Sequence, residues 1–280
     1  MSKIKEGSMI AKFAIYIIMG VFTIMAIYPL FWLFIQSFKT TQVFLTTSKL
    51  SFPQNWFFGN YPDSWQRGNF GMLFINSIFY TATTVISVVV LGFMAGFGFA
   101  KIKNRFTPVL HGIFIIGILL TLQSIMVPLF LMVTNVGLYD THLGVLIPYI
   151  GLGLPMGVYL GTEFIKSIPM ALIESARIDG AKYFKIFTAI IFPMTAPAAM
   201  TVGILTFTGT WNEFMLINIL SSSDTVRSLP VGINRFSGAL ASDYGKQFAA
   251  LMIGVIPMLT FYLTFRKQIT KGVAAGAVKG

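Results

Sequence analysis

The sequence contains no cysteine, and only 10% of its residues are charged. Without cysteine there are no disulfides, thiolate metal sites or cysteine nucleophiles. Soluble domains carry about 25% charged residues, so a water-exposed globular surface is excluded over most of the chain. No G-x-x-x-x-G-K-[ST] stretch occurs, so no P-loop is present to cradle nucleotide phosphates. What the sequence does contain is apolar. Of its 280 residues, 55% are hydrophobic and 15% aromatic, and the mean hydropathy is +0.78. This is the composition of an integral membrane protein. The net charge of +11 is dispersed over short connecting segments rather than gathered in one patch, so it does not point to nucleic acid.

A bilayer-crossing helix needs roughly 20 mostly apolar residues. Six such runs stand at about 13–35, 75–100, 109–133, 142–162, 187–211 and 247–265, none with Asp, Glu, Lys or Arg deep inside. They predict an all-α protein of six transmembrane helices, with residues 1–280 forming a single membrane domain. The first run is too long for a signal-peptide core and no A-x-A-like site follows it, which predicts a retained first helix. With the N-terminus inside, 14 Lys and Arg residues fall in inner segments and 6 in outer ones. The positive-inside rule then places both termini in the cytoplasm. Trp56, Phe57, Phe58, Tyr61, Trp65, Trp211 and Phe214 crowd the outer margins and are expected to anchor at the lipid interface. His111, His142 and Glu213 are expected at the interfaces as well.

The longest inner connection is 163–186. Placing Arg177, Asp179, Lys182 and Lys185 near a bilayer centre would cost roughly 10–14 kcal/mol in all, so this segment stays outside. Ser167 and Pro169 suit a helix start. Ala171, Leu172, Ile173 and Ala176 supply a small apolar face, and Glu174 and Arg177 have the spacing of a helical ion pair. Asp179-Gly180 ends that helix, and Asp179 is placed to cap a second one leading into the fifth run. On these grounds the helix could seat in a groove of another protein or lie on lipid headgroups.

Glu174-Ser175-Ala176, three residues, Gly180, nine residues, then Ile190-Ile191-Phe192-Pro193 resembles the EAA motif of ABC importer permeases, with Ser175 and Phe192 as its two departures. "SFKT" at 37–40, "NYPDSW" at 60–65, "NSIFYTATT" at 76–84, "TWNEF" at 210–214, "SLPVGI" at 228–233 and "AAGAVKG" at 274–280 resemble the carbohydrate-uptake branch, in particular the smaller permease of the maltose-type pair. The resemblance covers nearly the whole chain. It implies the type I importer fold in a bacterial or archaeal cytoplasmic membrane, surrounded by lipid. It also implies a second, related permease forming a heterodimer, two ATPase subunits binding ATP and Mg, and an extracytoplasmic sugar-binding protein. This chain would hold no cofactor, no metal and no catalytic residue. Its 163–186 loop would be the ATPase-coupling element, with Glu174, Ser175, Ala176, Asp179, Gly180 and Ala181 at the contact. The tail 267–280, through Gly276, Val278, Lys279 and Gly280, would reach the ATPases or simply fray. Ser222, Ser223 and Asp224 stand where such subunits extend a loop to the binding protein, and a solvated loop is equally compatible.

Polar residues inside the runs are candidates for the substrate pathway: Asn76, Thr81, Thr83, Thr84, Ser87, Gln123, Ser124, Thr206 and Thr208. Asn76, Thr84, Gln123 and Ser124 are selected, Gln123 first as near mid-depth. Neutral amides and hydroxyls suit a neutral polyol, although the same groups bond helix to helix. Pro128, Pro148, Pro155, Pro193, Pro197 and Pro257 predict bends or breaks. An ion-coupled carrier would need ionisable residues at the midplane, and an intramembrane enzyme would need paired carboxylates, spaced histidines or a Ser/His arrangement. The runs contain neither. A permease for a polyol or glycerol phosphate is the alternative, and a phosphorylated cargo would favour basic residues along the path.

Overall fold

The computed structural model describes residues 9–102, 104–236 and 243–277. Regular structure among the described residues is helical throughout. In chain order the helices are α1 (Met9–Gln36), α2 (Thr41–Thr46), α3 (Asn60–Arg67), α4 (Phe70–Lys101), α5 (Thr107–Leu119), α6 (Leu122–Asn135) and α7 (His142–Lys166). They continue with α8 (Met170–Ile178), α9 (Tyr183–Ile186), α10 (Phe192–Met194), α11 (Ala196–Trp211), α12 (Met215–Leu220), α13 (Leu229–Ile233) and α14 (Tyr244–Ala277). A π-helical stretch, Phe187–Ile191, joins α9 to α10.

Four helices are long and apolar enough to cross a membrane: Lys12–Gln36, Phe70–Lys101, His142–Lys166 and Tyr244–Lys267. The third and fifth apolar runs are not single rods. The third is α5 and α6, bent by 107° at the break, and the fifth is Tyr183–Met194 and α11, bent by 79°. Only the second of these bends has prolines beside it, Pro193 and Pro197. Pro128, Pro148, Pro155 and Pro257 lie inside continuous helices. The sharper bend falls at Thr121, whose backbone is extended (φ −78°, ψ 142°) and whose hydroxyl lies 2.7 Å from that of Ser124. The backbone itself turns there: Ser124 N donates to Thr121 O at 3.1 Å and opens α6. Hydropathy has no view of such a break.

The chain groups into two compact units. The first is Met1–Gly68 with Ile233–Val255. In it Asn60 Nδ2 donates to the carbonyls of Ser37 (2.8 Å) and Lys39 (2.9 Å), and Ser64 Oγ donates to Lys246 O at 2.9 Å. Thr41 Oγ1 donates to Asp243 at 2.8 Å. Phe38 gathers Phe34, Trp56, Phe58 and Tyr61 around its ring. Lys39 is buried, and its ammonium donates to Ser48 O and Ser51 Oγ.

The second unit is Asn69–Gly232 with Ile256–Gly280, and its spine is the α4–α7 pair. A Cβ on Gly92 would lie 2.8 Å from the Gly157 carbonyl carbon, and one on Gly96 would lie 2.8 Å from Thr162 N. The two backbones meet without side chains between them, as small residues allow in membrane helices. Around this contact one core cluster joins Val88, Phe93, Phe97, Ile165, Ile173, Ile186 and Ile191. A second joins Tyr80, Val145, Tyr149, Leu216 and Leu220. Trp211, expected at the lipid interface, is instead buried against Phe74 and Phe207.

Candidate functional site

The 163–186 segment folds as a hairpin of helices. Ser167 does not open α8. Its hydroxyl donates to Phe164 O at 2.7 Å and closes α7, while Pro169 takes the N-cap position of α8. Ile173 is fully buried in the first cluster, and Ala176 and Ala181 pack against the same cluster. The apolar face expected to point outward is therefore divided: Ile173 and Ala176 turn inward, and Ala171 and Leu172 stay exposed. Gly180 N donates to Arg177 O (3.0 Å) and Ala181 N to Ala176 O (2.9 Å). This is a Schellman closure, and Gly180 occupies its left-handed position at φ 80°. The space around Gly180 is open, so backbone conformation, not crowding, selects glycine there.

Two further expectations for this hairpin fail. Arg177 does not pair with Glu174: its Nη1 donates to Tyr183 OH at 2.8 Å, with the guanidinium 5.0 Å from the ring centroid. The reversal at Gly180 brings Tyr183 back beside α8, and a hydroxyl plus a π face compete with one exposed carboxylate. Nor does Asp179 cap α9. It is the C-cap of α8, and Lys182 precedes α9 without a side-chain bond to it. Glu174, Ser175, Asp179 and Gly180 all lie on the exposed side of the hairpin, with Ile178 86% exposed. Lys101, at the end of α4, donates to the Lys166 and Ile168 carbonyls. A cation thus meets the carbonyl end of α7, where the helix dipole favours it.

At the other end of α4 the 221–229 segment is fastened at several points. Asn76, selected for the pathway, is buried, and its Nδ2 donates to the carbonyls of Asp224 (3.4 Å), Thr225 (2.9 Å) and Arg227 (2.9 Å). Ser77 Oγ accepts from Leu229 N at 2.8 Å, and Tyr80 OH donates to Val226 O at 2.7 Å. The Tyr80 oxygen is then left to accept from His142 Nδ1 at 2.8 Å. Asp140 takes the amides and hydroxyls of Ser222 and Ser223 at 2.8–3.0 Å. Burial raises the Asp140 carboxyl pKa, but those four hydrogen bonds outweigh it and hold it below the ordinary carboxylate range. Sequence reasoning missed Asp140 and Tyr80. An aspartate just past a glycine, in a short loop between two apolar runs, was the available signal.

Glu213 is not simply interfacial. Its carboxylate accepts from Tyr149 OH (2.7 Å), Leu216 N (2.7 Å) and Ile217 N (3.1 Å), closing the start of α12. Gln123 opens toward the exterior beside Met215, Nε2 to Sδ 4.0 Å, and Ser124 pairs with Thr121. Thr84 is buried, and its hydroxyl and that of Thr81 have no hydrogen-bond partner among the described residues. Gly276 lies within α14, while Val278, Lys279 and Gly280 lie outside the described residues. No group of three or more His, Asp or Glu side chains among the described residues could hold a metal ion.

The chain as a whole is similar to proteins of known class. Residues 88–273 match the family described as binding-protein-dependent transport system inner membrane component. The ORF2 product of Caldicellulosiruptor sp. (strain Rt8B.4), named as an ABC transporter permease protein, is 35% identical over 280 residues, all of both chains. The trehalose transport system permease protein SugB of Mycobacterium tuberculosis is 32% identical, over 91% of this chain and 93% of its own. Among solved structures, a chain of a bacterial ABC transporter involved in importing the acidic polysaccharide alginate superposes with a TM-score of 0.81. It is 22% identical and aligned over 95% of this chain and 99% of that one. With the family match spanning α4 to α14, this chain belongs to the inner membrane components of binding-protein-dependent transport systems.

Proposed function

We propose that this chain is one of two membrane subunits of an ATP-driven importer for a sugar or oligosaccharide, loaded from outside by a soluble binding protein. The observation that carries the reading is the α8 hairpin. It is anchored into its own subunit by Ile173, closed by Gly180, and leaves Glu174, Ser175 and Ile178 exposed. In this reading the exposed side seats on an ATPase subunit in the cytoplasm, and the buried side ties that seat to α4 and α7. ATP and Mg are held by the two ATPases, which supply the free energy. The fastened 221–229 segment, with Ser222, Ser223 and Asp224, faces the binding protein. Both termini are cytoplasmic, and the tail through Gly276, Val278, Lys279 and Gly280 reaches toward the ATPases. The cargo is uncharged: the trehalose relative supports this, as does the absence of Lys or Arg deep inside the apolar runs.

ATPase closure would pull on α8, and Ile173 would pass that displacement to the cluster shared by α4, α7 and the Phe187–Ile191 stretch. Rigid packing transmits such shifts. The expected result is that Glu174→Ala and Gly180→Val each abolish transport and the ATPase stimulation evoked by loaded binding protein, while membrane insertion stays intact. Wild-type stimulation in both variants would remove the coupling role. Calorimetric titration of the cognate binding protein with mono- and oligosaccharides identifies the cargo, and tight binding of a phosphorylated polyol instead would overturn the sugar assignment.

A further inference from the structure

The break between α5 and α6 brings uncharged polar side chains to an otherwise apolar surface. Gln123 and Asn218 are both exposed, and among the described residues neither carboxamide is engaged beyond the contact of Gln123 Nε2 with Met215 Sδ at 4.0 Å. Met215 and Asn218 are one turn apart on α12 and form its exposed face, since Leu216, Ile217 and Leu220 are fully buried. The Gln123 carboxamide thus lies against the Met215 thioether, and Asn218 stands one turn along the same face of α12. Thr121 and Ser124 stand on the adjoining turn of α6, their hydroxyls paired at 2.7 Å. The nearby Glu213 carboxylate is already committed to Tyr149 and two backbone amides.

An unpartnered amide facing hydrocarbon costs several kcal/mol, and irregular backbone at membrane depth is tolerated only against protein or water. The break and its amides thus belong on a wet or proteinaceous surface. Resting on the importer reading above, we infer that Gln123 and Asn218, together with Met215, form a subsite for a neutral sugar in the transport path. Each carboxamide offers two donors and an acceptor, enough to span adjacent hydroxyls of a pyranose. The thioether gives the C–H face of the ring an apolar contact. No free charge is supplied for an anionic or cationic cargo.

Because the chain has no cysteine, Gln123→Cys and Asn218→Cys place single thiols in the full transporter. Both are expected to react with a membrane-impermeant methanethiosulfonate, and an Ile86→Cys control on the exposed apolar face of α4 is not. Uptake of radiolabelled trehalose, maltose, melibiose and raffinose by the wild-type transporter selects the sugar used as probe. That sugar should slow labelling at both positions. Asn218→Leu and Gln123→Leu should lower its uptake at saturating binding protein about 3–10-fold, the effect of one lost hydrogen bond, and Asn218→Gln should restore a substantial part. Thiols that stay unreactive, react without protection by the sugar, or crosslink to the second permease would overturn the subsite and leave the importer reading standing. So would wild-type uptake by the Leu variants. If the wild-type transporter carries none of the four sugars and its binding protein takes no mono- or oligosaccharide in the titration above, the sugar assignment falls and the subsite falls with it.

Discussion

Asp140 has φ 56°, in the left-handed region, and its carboxylate gathers four donors from Ser222 and Ser223. Asparagine tolerates the same backbone and keeps one acceptor oxygen, so Asp140→Asn removes the charge and the single bond that Oδ2 accepts from Ser222 Oγ. It should cost about 2 kcal/mol, the scale of a hydrogen bond to a charged group, and expose 221–229 to limited proteolysis. The folded-state pKa of Asp140 is depressed, so its contribution is full above the unfolded-state value near ~4 and is lost as pH falls through the lower folded value. The melting temperature of the wild-type protein should therefore fall more steeply below about pH 4 than that of Asp140→Asn. Equal slopes would show that the carboxylate does not hold the segment by its charge.

At the scale of elements, the α4–α7 pair depends on the absence of side chains at its crossing. A Cβ on Gly92 meets backbone at 2.8 Å, and one on Gly157 meets Val88 Cγ1 at 2.9 Å. Backbone cannot swing aside as a side chain can. Gly92→Val should therefore force the helices apart and lower stability by about 1–3 kcal/mol, read as a drop in melting temperature of the purified complex. Gly98, on the same helix with nothing within 4 Å, gives the control: Gly98→Ala should be neutral or stabilising, by up to ~1 kcal/mol from helix propensity. Loss of stability in both variants would show that the crossing is not special. Much of this layer was legible beforehand. The apolar helices and the turn at Gly180 follow from hydropathy and left-handed preference. The glycine crossing was not, because Gly92 and Gly157 gain meaning only when their helices face each other. The α5–α6 break was missed for a related reason, since a Thr121–Ser124 pair inside a greasy stretch changes no hydropathy average. The Glu174–Arg177 pair failed because spacing along one helix ignores Tyr183 arriving from the next.

For the molecule as a whole, the distribution of basic residues sets the expectation for topology. Reporter fusions that fluoresce only in the cytoplasm should be bright after residue 102 and after the C-terminus and dark after residue 50, with the converse for a periplasmic phosphatase. A phosphatase-active fusion at the C-terminus would reject the proposed orientation. In the proposed orientation the same charges need no nucleic acid to account for them, since they set topology and make local contacts. Lys39 shows how local these can be. Burial, and secondarily the Lys49 charge, lower its ammonium pKa, while it donates to Ser48 and Ser51. Such a lysine had been counted only as one of the outer charges, since a count cannot tell a buried ammonium from a solvated one.

The exposed edge of the α8 hairpin also bears on how the subunit fares in a cell. Ile178 at 86% exposure and Phe184 at 68% leave a greasy knob where the proposed ATPase would sit. A copy made without that partner would display the knob to the cytoplasm and be open to self-association and to degradation by quality-control proteases. Pulse-chase measurement should give the orphan subunit a shorter half-life than the co-expressed one, and Ile178→Ser should lengthen the orphan's survival. Equal half-lives with and without the ATPase would count against this. Stoichiometry among the subunits would then be policed by turnover rather than by matched synthesis.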